Sequence, residues 1–440
     1  MRILLVAPRS AFPDAIPDWL LAPQMSLLIL EALSGDKHRV RIVEEEREPV
    51  PVDESWDLVG ITAMTATAFR AYSLADEFRA RGAMVVLGGV HVSVMPEEAS
   101  QHADAVVVGE AEAVWAKVLE DAEASRLKPI YRNSSPEEIH VPLVRFSERN
   151  RHIFAPNLAP VVASRGCPNG CEFCSVPGVY GHRVRRLPVG QVVEQVRRSR
   201  SAVIAFLDDN LAANRNFAME LFVALKPLGK KWIGQIPVRA ILDEELFHAA
   251  AVSGLRGVYS GFETIDEKAR LRYAKSVSAE DYARAVRNCR DAGVLLNASL
   301  IFGMDEHDTS IFDKTLDFIM ASKVPSVSAY MLTPYPGTPL LDRISQEGRL
   351  LHRNWTYYDH LTPVIRPALM SPEELAEGYV RFRESLFSLK SIAHRFSAQL
   401  RVNPHAYLGM NFAYRHTTSV LRQHYKTYFE WLENNSPQHT

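Results

Sequence analysis

The sequence predicts an α/β protein in three parts: an N-terminal Rossmann-like parallel sheet over residues 1–140, a partial TIM-like (β/α)6 barrel with a preceding linker over 141–350, and a C-terminal helical domain over 351–440. Apolar strand segments alternate with helical segments in the first two parts, which is typical of parallel sheets. In the third part, apolar residues recur with a helical period. A chain of 440 residues is long enough for about two or three domains.

The N-terminal part contains five short apolar segments that predict strands. They are Ile3–Val6, Val40–Val43, Leu58–Thr62, Met84–Leu87 and Ala105–Val108. Helices are predicted at Gln24–Leu33, Ala66–Arg81, Pro96–His102 and Ala111–Ala122. Sheets of this type bind ligands beyond the carboxyl ends of their strands. The loops at those ends are Pro8–Pro23, Ala63–Thr67, Gly88–Ser93 and Gly109–Glu112. Each of these loops, taken alone, is an ordinary turn.

Residues 128–156 are mixed in charge and contain several prolines, which indicates a linker. The alternation of strands and helices then resumes. Strands are predicted at Val161–Ser164, Ala202–Leu207, Trp232–Pro237, Gly257–Gly261, Asn297–Phe302 and Ser326–Leu332. Six such units favour a partial barrel, in which the carboxyl ends of the strands are the usual catalytic positions.

Three of the four cysteines, Cys167, Cys171 and Cys174, lie within eight residues. Thiolates are soft ligands that suit zinc or an iron–sulfur cluster. A cubane cluster normally takes four cysteines, so three would leave one iron open to a substrate or cofactor. A zinc site would want a fourth Cys or His at short spacing, and only His182 is near. Cys289 shares the apolar stripe of a predicted helix and is therefore expected in the core.

The spacing Cys-x3-Cys-x2-Cys, with Phe173 just before the last cysteine, resembles the cluster loop of radical S-adenosylmethionine (SAM) enzymes. In that family, the open iron of a [4Fe–4S] cluster chelates the amino and carboxylate groups of SAM. Reductive cleavage then releases a 5′-deoxyadenosyl radical. The resemblance implies that Cys167, Cys171 and Cys174 are the iron ligands and catalytic residues. It also implies an external electron donor such as flavodoxin or ferredoxin.

The same resemblance implies SAM contacts at the ends of the barrel strands. The implied residues are Phe173, Asp209, Asn210, Glu263, Asn297, Ser299 and Gly303, with Arg239 a candidate for the carboxylate. Structural alternatives stay open for three of these positions. Asp209 fits an Asx turn, Glu263 fits a neighbour of a helix cap, and Arg239 fits an ordinary surface residue.

Taken in order, the loops of the first sheet resemble the cobalamin-binding domain that precedes many radical SAM enzymes. The Asp-x-His-x-x-Gly motif, which supplies a histidine to cobalt in other cobalamin proteins, is absent. The resemblance therefore implies cobalamin without a histidine on its lower face. The implied cobalamin-binding residues are Met64, Thr65, Gly88, Gly89, Val90, His91, Gly109 and Glu110. A lone loop histidine such as His91 is more often a hydrogen-bonding residue, and such a domain can also persist with no corrinoid bound.

The composition excludes several classes of protein. A formal net charge of −2 argues against a general nucleic-acid binder. Three of four cysteines in one loop form no disulfide framework and suit a reducing cytosol. No apolar run reaches the roughly 18 residues of a membrane span, and the N-terminal apolar segment is too short for a signal peptide. We therefore expect a cytoplasmic protein without a transmembrane segment.

The C-terminal part contains an aromatic, polar loop at Trp355–His360, of the kind found at binding mouths. Ser371 and Glu374 predict a capped helix start. The aromatic residues beyond it would suit a hydrophobic substrate or a membrane surface, but core packing explains them better. The basic run His182–Arg186 could bind an anion, but a solvated loop is the more ordinary interpretation.

The activity implied is that of a cobalamin-dependent radical SAM methyltransferase. It would act on an unactivated carbon of a small molecule through the 5′-deoxyadenosyl radical and methylcobalamin. One alternative is a radical SAM cyclase or carbon–carbon bond-forming enzyme without methyl transfer. Another is a non-catalytic metal-binding protein that holds zinc. The substrate is not readable from the sequence.

Overall fold

The computed structural model describes residues 1–12, 24–133, 139, 141–142, 158–199, 201–273, 277–400 and 402–435. Most of the predicted loop Pro8–Pro23 and of the linker at 128–156 therefore lies outside the described residues. The predicted α/β class is confirmed, with two six-stranded parallel sheets followed by a helical C-terminal region. The predicted domain boundaries at 140 and 350 stay predictions.

The first sheet is parallel throughout, with the strand order β2-β1-β3-β4-β5-β6. Its strands are β1 Arg2–Ala7, β2 Arg39–Glu44, β3 Leu58–Thr62, β4 Met84–Gly88, β5 Ala105–Val108 and β6 Ile130–Arg132. Helices cover both of its faces, so β1 is inaccessible from Ile3 to Val6. The sequence did not predict β6, because this edge strand is three residues long and buries only Tyr131.

The helices of this part follow the predicted order with one difference. They are α1 Met25–Ser34, α2 Ala68–Ala80, α3 Val90–Val94, α4 Pro96–Ala99 and α5 Trp115–Glu123. A single helix was predicted at Pro96–His102, whereas the structure has α3 already inside the loop after β4 and a break at Met95. Pro96 has no N–H group and disfavours a helical residue before it, so α4 starts as a separate turn.

The second sheet has its parallel strands in chain order, β7-β10-β11-β12-β13-β14, which is the arrangement of a partial barrel. An antiparallel hairpin, β8–β9, lies between its first two strands. The strands are β7 Leu158–Val161, β8 Ser164–Arg165, β9 Arg185–Arg186, β10 Val203–Phe206, β11 Lys231–Gln235, β12 Leu255–Glu263, β13 Leu295–Phe302 and β14 Ser326–Met331. The first barrel strand ends earlier than predicted because the N–H groups of Ala163 and Ser164 donate to the Asp208 carboxylate instead of to a neighbouring strand.

Nine helices accompany the barrel strands of the described chain, and four follow them. The barrel helices are α6 Val176–Tyr180, α7 Val189–Arg198, α8 Arg215–Leu225, α9 Val238–Leu242, α10 Glu244–Val252, α11 Glu267–Arg272, α12 Ala279–Asp291, α13 Ile311–Ser322 and α14 Pro339–Gln346. The C-terminal helices are α15 Pro372–Leu386, α16 Leu389–Phe396, α17 Pro404–Ser419 and α18 Leu421–Asn435.

The C-terminal helices pack on the last strands of the barrel. The Tyr379 hydroxyl on α15 donates to the Ala329 carbonyl on β14 at 2.6 Å. The predicted capping box at Ser371 and Glu374 is present at the start of α15. Cys289 is 1% exposed in the core, as predicted. Within the described chain, no helix has the length and apolar character needed to cross a bilayer.

Candidate active site

The three clustered cysteines lie in the loop that the β8–β9 hairpin closes. The backbone folds tightly at its start, where Gly166 has φ +88° and a Cβ would lie 2.6 Å from the Arg183 carbonyl oxygen. Only glycine fits this position. Further along, the Cys174 N–H donates to the Cys171 carbonyl oxygen at 3.1 Å. The Glu172 carboxylate forms an ion pair with Arg343 on α14 at 2.7 Å, which ties the loop to the last barrel unit.

The thiols of Cys167, Cys171 and Cys174 line one cavity of about 510 Å³ at the carboxyl edge of the barrel sheet. Residues from the ends of β10 to β14 line the same cavity. Among the residues singled out from sequence, Phe173 of the cysteine loop and Asp209, Asn210, Glu263 and Ser299 of the strand ends line it. The geometry brings these residues together although Cys167 and Ser299 lie 132 residues apart in the chain. Over the described ranges, no three His, Cys, Asp or Glu side chains surround a point as ligands of a single metal ion.

The adjacent aspartates after β10 have different surroundings. Asp208 is buried and accepts hydrogen bonds from the Ala163 N–H at 3.1 Å and the Ser164 hydroxyl at 2.6 Å, as well as from the Ser164 N–H. Burial raises the pKa of Asp208 to about 7 against these hydrogen bonds. Asp208 therefore anchors β8, whereas Asp209 faces the cavity and accepts the Gly166 N–H at 3.2 Å.

Asn210 and Glu263 both line the cavity, and each has an unusual feature. Asn210 has an unpaired amide oxygen, and Glu263 has a strained backbone conformation. The Asn210 amide nitrogen lies 3.9 Å from the Cys167 sulfur, and its buried amide oxygen has no hydrogen-bond partner among the described residues. Glu263 has φ +61°, which is unusual for a residue with a side chain. A Cβ on Gly261 would lie 2.2 Å from its carboxylate. An unpaired buried acceptor costs free energy unless a ligand satisfies it, so this wall fits a bound group that carries donors.

An aromatic wall of the same cavity consists of Tyr259, Tyr330, Tyr335 and His360. Sequence reasoning missed Tyr259 and Tyr330, whereas His360 belongs to the predicted aromatic loop. The His360 ring lies 5.3 Å from the Tyr330 ring and 5.0 Å from the Tyr335 ring, measured between centroids. Its carbonyl oxygen accepts the Met331 N–H at 2.7 Å, with the residue at φ +66°. His360 is exposed, and partial desolvation lowers the pKa of its imidazole from the ordinary value of 6.5, so the ring is neutral at physiological pH. The aromatic loop Trp355–His360 was a sequence signal for this wall.

Three residues singled out from sequence lie away from this cavity. Asn297 is two residues before Ser299 on the same face of β13, so it lies deeper in the barrel, where its amide donates to the Tyr414 hydroxyl at 3.2 Å. Gly303 faces helix α15, because a Cβ there would lie 3.1 Å from Leu375. Arg239 lines a neighbouring cavity of about 420 Å³, which also reaches Cys171 and Asn210.

A second cavity, of about 220 Å³, lies at the carboxyl edge of the first sheet. The residues singled out from sequence that line it are Met64, Gly88, Gly89, Val90, Gly109 and Glu110. Gly89 has φ +103°, and a Cβ there would lie 2.7 Å from backbone atoms of Ala63. Arg165 and Tyr180 of the barrel part close the other side. The first sheet therefore opens directly onto the hairpin that carries the cysteines.

Thr65 and His91 do not line that cavity. His91 is fully buried, and its ring nitrogens lie 3.3 Å from the Thr65 hydroxyl and 3.2 Å from the Glu98 carboxylate. Glu98 also accepts the Trp355 indole N–H at 3.1 Å. These hydrogen bonds match the ordinary interpretation of a loop histidine and connect the first domain to the loop after α14.

The basic run at 182–186 is only partly solvated. His182 and Arg183 are exposed, but Arg185 is 6% exposed and forms an ion pair with Glu110. The interpretation of this run as a solvated loop is therefore wrong for Arg185. Glu110 also pairs with Arg165, so its carboxylate is engaged by two arginines.

Comparison with protein families gives three matches along the chain. A model of the Radical SAM superfamily matches residues 161–319, a B12 binding domain matches 27–119, and a domain of unknown function (DUF4070) matches 338–429. The first match contains the three clustered cysteines, and the second contains the strand ends of the first sheet that line the glycine-lined cavity.

Relatives of the whole chain are also found. It is 28% identical to the bacteriochlorophyllide d C-12(1)-methyltransferase of Chlorobaculum tepidum, over 90% of this chain and 89% of that protein. It is 29% identical to the bacteriochlorophyllide d C-8(2)-methyltransferase of the same organism, over 79% and 82%. Among solved structures it resembles the cobalamin-dependent SAM radical enzyme OxsB, determined with aqua-cobalamin and SAM bound. The TM-score is 0.67 at 12% identity, over 99% of this chain and 82% of that chain.

The predicted resemblance is confirmed, and the alternative of a non-catalytic zinc protein is wrong. The chain carries a radical SAM domain and a B12-binding domain; it is an enzyme of the radical SAM class that takes SAM, a [4Fe–4S] cluster and cobalamin as its cofactors.

Proposed function

We propose that this enzyme transfers a methyl group from SAM to an unactivated carbon of a small molecule. The observation that supports this most directly is that one segment, residues 165–180, contributes to the lining of both the glycine-lined cavity of the B12-binding domain and the thiol-lined cavity of the barrel. Methyl transfer needs two cofactor sites within reach of one substrate carbon. The two bacteriochlorophyllide methyltransferases, which the chain matches along most of its length, point to the same activity.

In this proposal, Cys167, Cys171 and Cys174 are the ligands of the cluster. The three thiols line the same cavity, and the tight turn at Gly166 fixes the backbone just before Cys167. When bound, the cluster supplies the electron that cleaves SAM, and cobalamin supplies the methyl group. The side chains of the protein itself bind SAM and the substrate and orient them.

Asp209, Asn210, Glu263 and Ser299 bind SAM in this proposal. The carboxylate of Asp209 lines the cavity together with the thiols, where it is placed to accept N–H bonds from the SAM ammonium group, and the Asn210 amide nitrogen lies 3.9 Å from the Cys167 sulfur. Glu263 and Ser299 come from the next strand ends and are placed to accept hydroxyl donors of the ribose. Two acceptors fixed by the fold would hold the sulfonium in one orientation.

The substrate in this proposal is a hydrophobic small molecule that lies against Tyr330, Tyr335 and His360. Aromatic faces supply apolar contact area, and the neutral imidazole supplies a hydrogen bond without the cost of burying a charge. The position of His360 at the end of β14 is set by its backbone bond to Met331.

We also propose a cytoplasmic location and an external electron donor such as flavodoxin or ferredoxin. Three clustered thiols suit a reducing compartment. The cavity that Arg239 lines reaches Cys171 from the side away from the aromatic wall, and its exposed guanidinium would suit an acidic donor protein.

The formation of S-adenosylhomocysteine tests methyl transfer without knowledge of the substrate. We expect the anaerobically reconstituted enzyme, given SAM, cobalamin and a strong reductant, to form S-adenosylhomocysteine in an amount that follows the bound cobalamin, together with 5′-deoxyadenosine. Chromatography with mass detection measures both products. Enzyme reconstituted without cobalamin is the control and should form 5′-deoxyadenosine alone.

If the cobalamin-loaded enzyme also forms only 5′-deoxyadenosine, methyl transfer is contradicted. A radical cyclase or bond-forming enzyme would then be the better assignment, because neither needs a methyl group to leave SAM.

A further inference from the structure

The stem of the cysteine loop has an unfavourable charge pattern of its own. Strands β8 and β9 close the loop at 166–184, and their register places Arg165 directly opposite Arg185. Like charges in directly opposed positions of an antiparallel pair destabilise it. The two side chains are also shielded from water, at 12% and 5% exposure. The hairpin therefore needs a counter-charge from elsewhere.

That counter-charge comes from the B12-binding domain. One carboxylate oxygen of Glu110 pairs with Arg165 and the other pairs with Arg185, so a single side chain bridges the two sides of the stem. Glu112 adds a second partner for Arg165 only. Both glutamate side chains are 8% exposed. The two arginines and the two glutamates thus balance in charge, and all four side chains are largely buried.

The backbone next to Glu110 is fixed by hydrogen bonds within the first sheet's loops. The Gly109 N–H donates to the Ser93 hydroxyl at 2.9 Å, and that hydroxyl donates to the Gly89 carbonyl at 2.8 Å. Burial alone would raise the pKa of Glu110, but the hydrogen bonds and charges of Arg185 and Arg165 outweigh burial and hold the pKa below its ordinary value. Glu110 therefore stays ionised at neutral pH.

We propose that Glu110 is a positioning residue through which the B12-binding domain holds the cysteine loop in the geometry that binds the cluster. Without its carboxylate, Arg185 loses the acid it pairs with and Arg165 keeps only Glu112, so the two opposed arginines share a single carboxylate and the stem opens. Arg165 is two residues before Cys167, so an opened stem displaces the first thiol. This inference rests on the proposed role of the three cysteines. It makes the first domain part of the cluster site as well as the holder of cobalamin.

A double-mutant cycle tests the proposal. The variants are Glu110→Gln, Arg185→Gln, the double variant, and Glu112→Gln as the matched control that leaves the bridge in place. After anaerobic reconstitution, the measurements are the EPR spectrum of the reduced cluster with SAM, iron content, and the rate of protease cleavage within 166–184. We expect Glu110→Gln to speed cleavage of the loop by at least about tenfold and to change the EPR spectrum, because breaking a buried pair leaves uncompensated charge.

The double variant separates positioning from general stability. Removing Arg185 as well as the Glu110 charge ends the repulsion across the stem, so we expect cleavage and the EPR spectrum to return most of the way to those of the unaltered enzyme. Glu112→Gln also removes one buried charge, but it leaves the Glu110 pairs with both arginines intact, so it should change both readouts clearly less than Glu110→Gln does. A Glu110→Gln enzyme with unaltered spectrum and cleavage would overturn the proposal, as would a double variant that is no better than Glu110→Gln. If the unaltered enzyme itself holds no iron, the proposed function fails instead.

Discussion

Replacing Cys171 by alanine is expected to abolish the release of 5′-deoxyadenosine. The three thiols line the same cavity, and a cluster held by two of them would lose the geometry that leaves a single iron open to SAM. The loss should be complete within the detection limit of product chromatography. Iron content per chain, measured on the same preparation, should fall with it.

Cys289→Ala is the matched control for that variant. Cys289 is buried in helix α12, away from the loop, and burial raises the pKa of its thiol above the ordinary value. Its removal leaves a small cavity in the core but should leave iron content and product release unchanged. Undiminished 5′-deoxyadenosine from Cys171→Ala would refute the assignment of the cluster ligands.

Replacing Asp209 by alanine is expected to weaken SAM binding more than cluster assembly. Its carboxylate faces the cavity beside the thiols, and a charge-assisted hydrogen bond contributes about 1.5–3 kcal/mol. The dissociation constant for SAM should therefore rise by roughly 10- to 100-fold. Equilibrium dialysis of the reconstituted enzyme measures this constant, and iron analysis measures assembly.

Asp209→Asn distinguishes the charge from the support that Asp209 gives to the loop. Its amide oxygen can still accept the Gly166 N–H, which the carboxylate accepts at 3.2 Å, but the negative charge is gone. We expect normal iron content and weakened SAM binding in this variant. Unchanged SAM affinity in both variants would count against the assigned role of Asp209.

Local patterns in the sequence were sufficient to predict most of the fold. The strand at Leu58–Thr62 lies at its predicted residues, because a short apolar run between polar turns can only be buried in a parallel sheet. The capped start of α15 also follows from Ser371 and Glu374 alone. Strand β6 and the β8–β9 hairpin were missed. Both are very short, and β8 depends on Asp208, 44 residues away from Ser164.

The candidate site was predictable where spacing or strand ends defined it. The cysteine triplet and Asp209 are of this kind. The depth of Asn297 in the barrel and the packing of Gly303 could not be predicted, because both depend on which C-terminal helix covers the barrel. The bridge from Glu110 to Arg165 and Arg185 spans 55 and 75 residues and leaves no local pattern. The aromatic wall at His360 depends likewise on a loop returning to the end of β14.

The iron, acid-labile sulfide and zinc content of enzyme purified without oxygen tests the central claim most directly. The three thiols are proposed to hold one cubane cluster, so we expect about four iron and four sulfide per chain and no stoichiometric zinc. Zinc in place of iron and sulfide would contradict the account of the thiol-lined cavity and of every residue assigned around it.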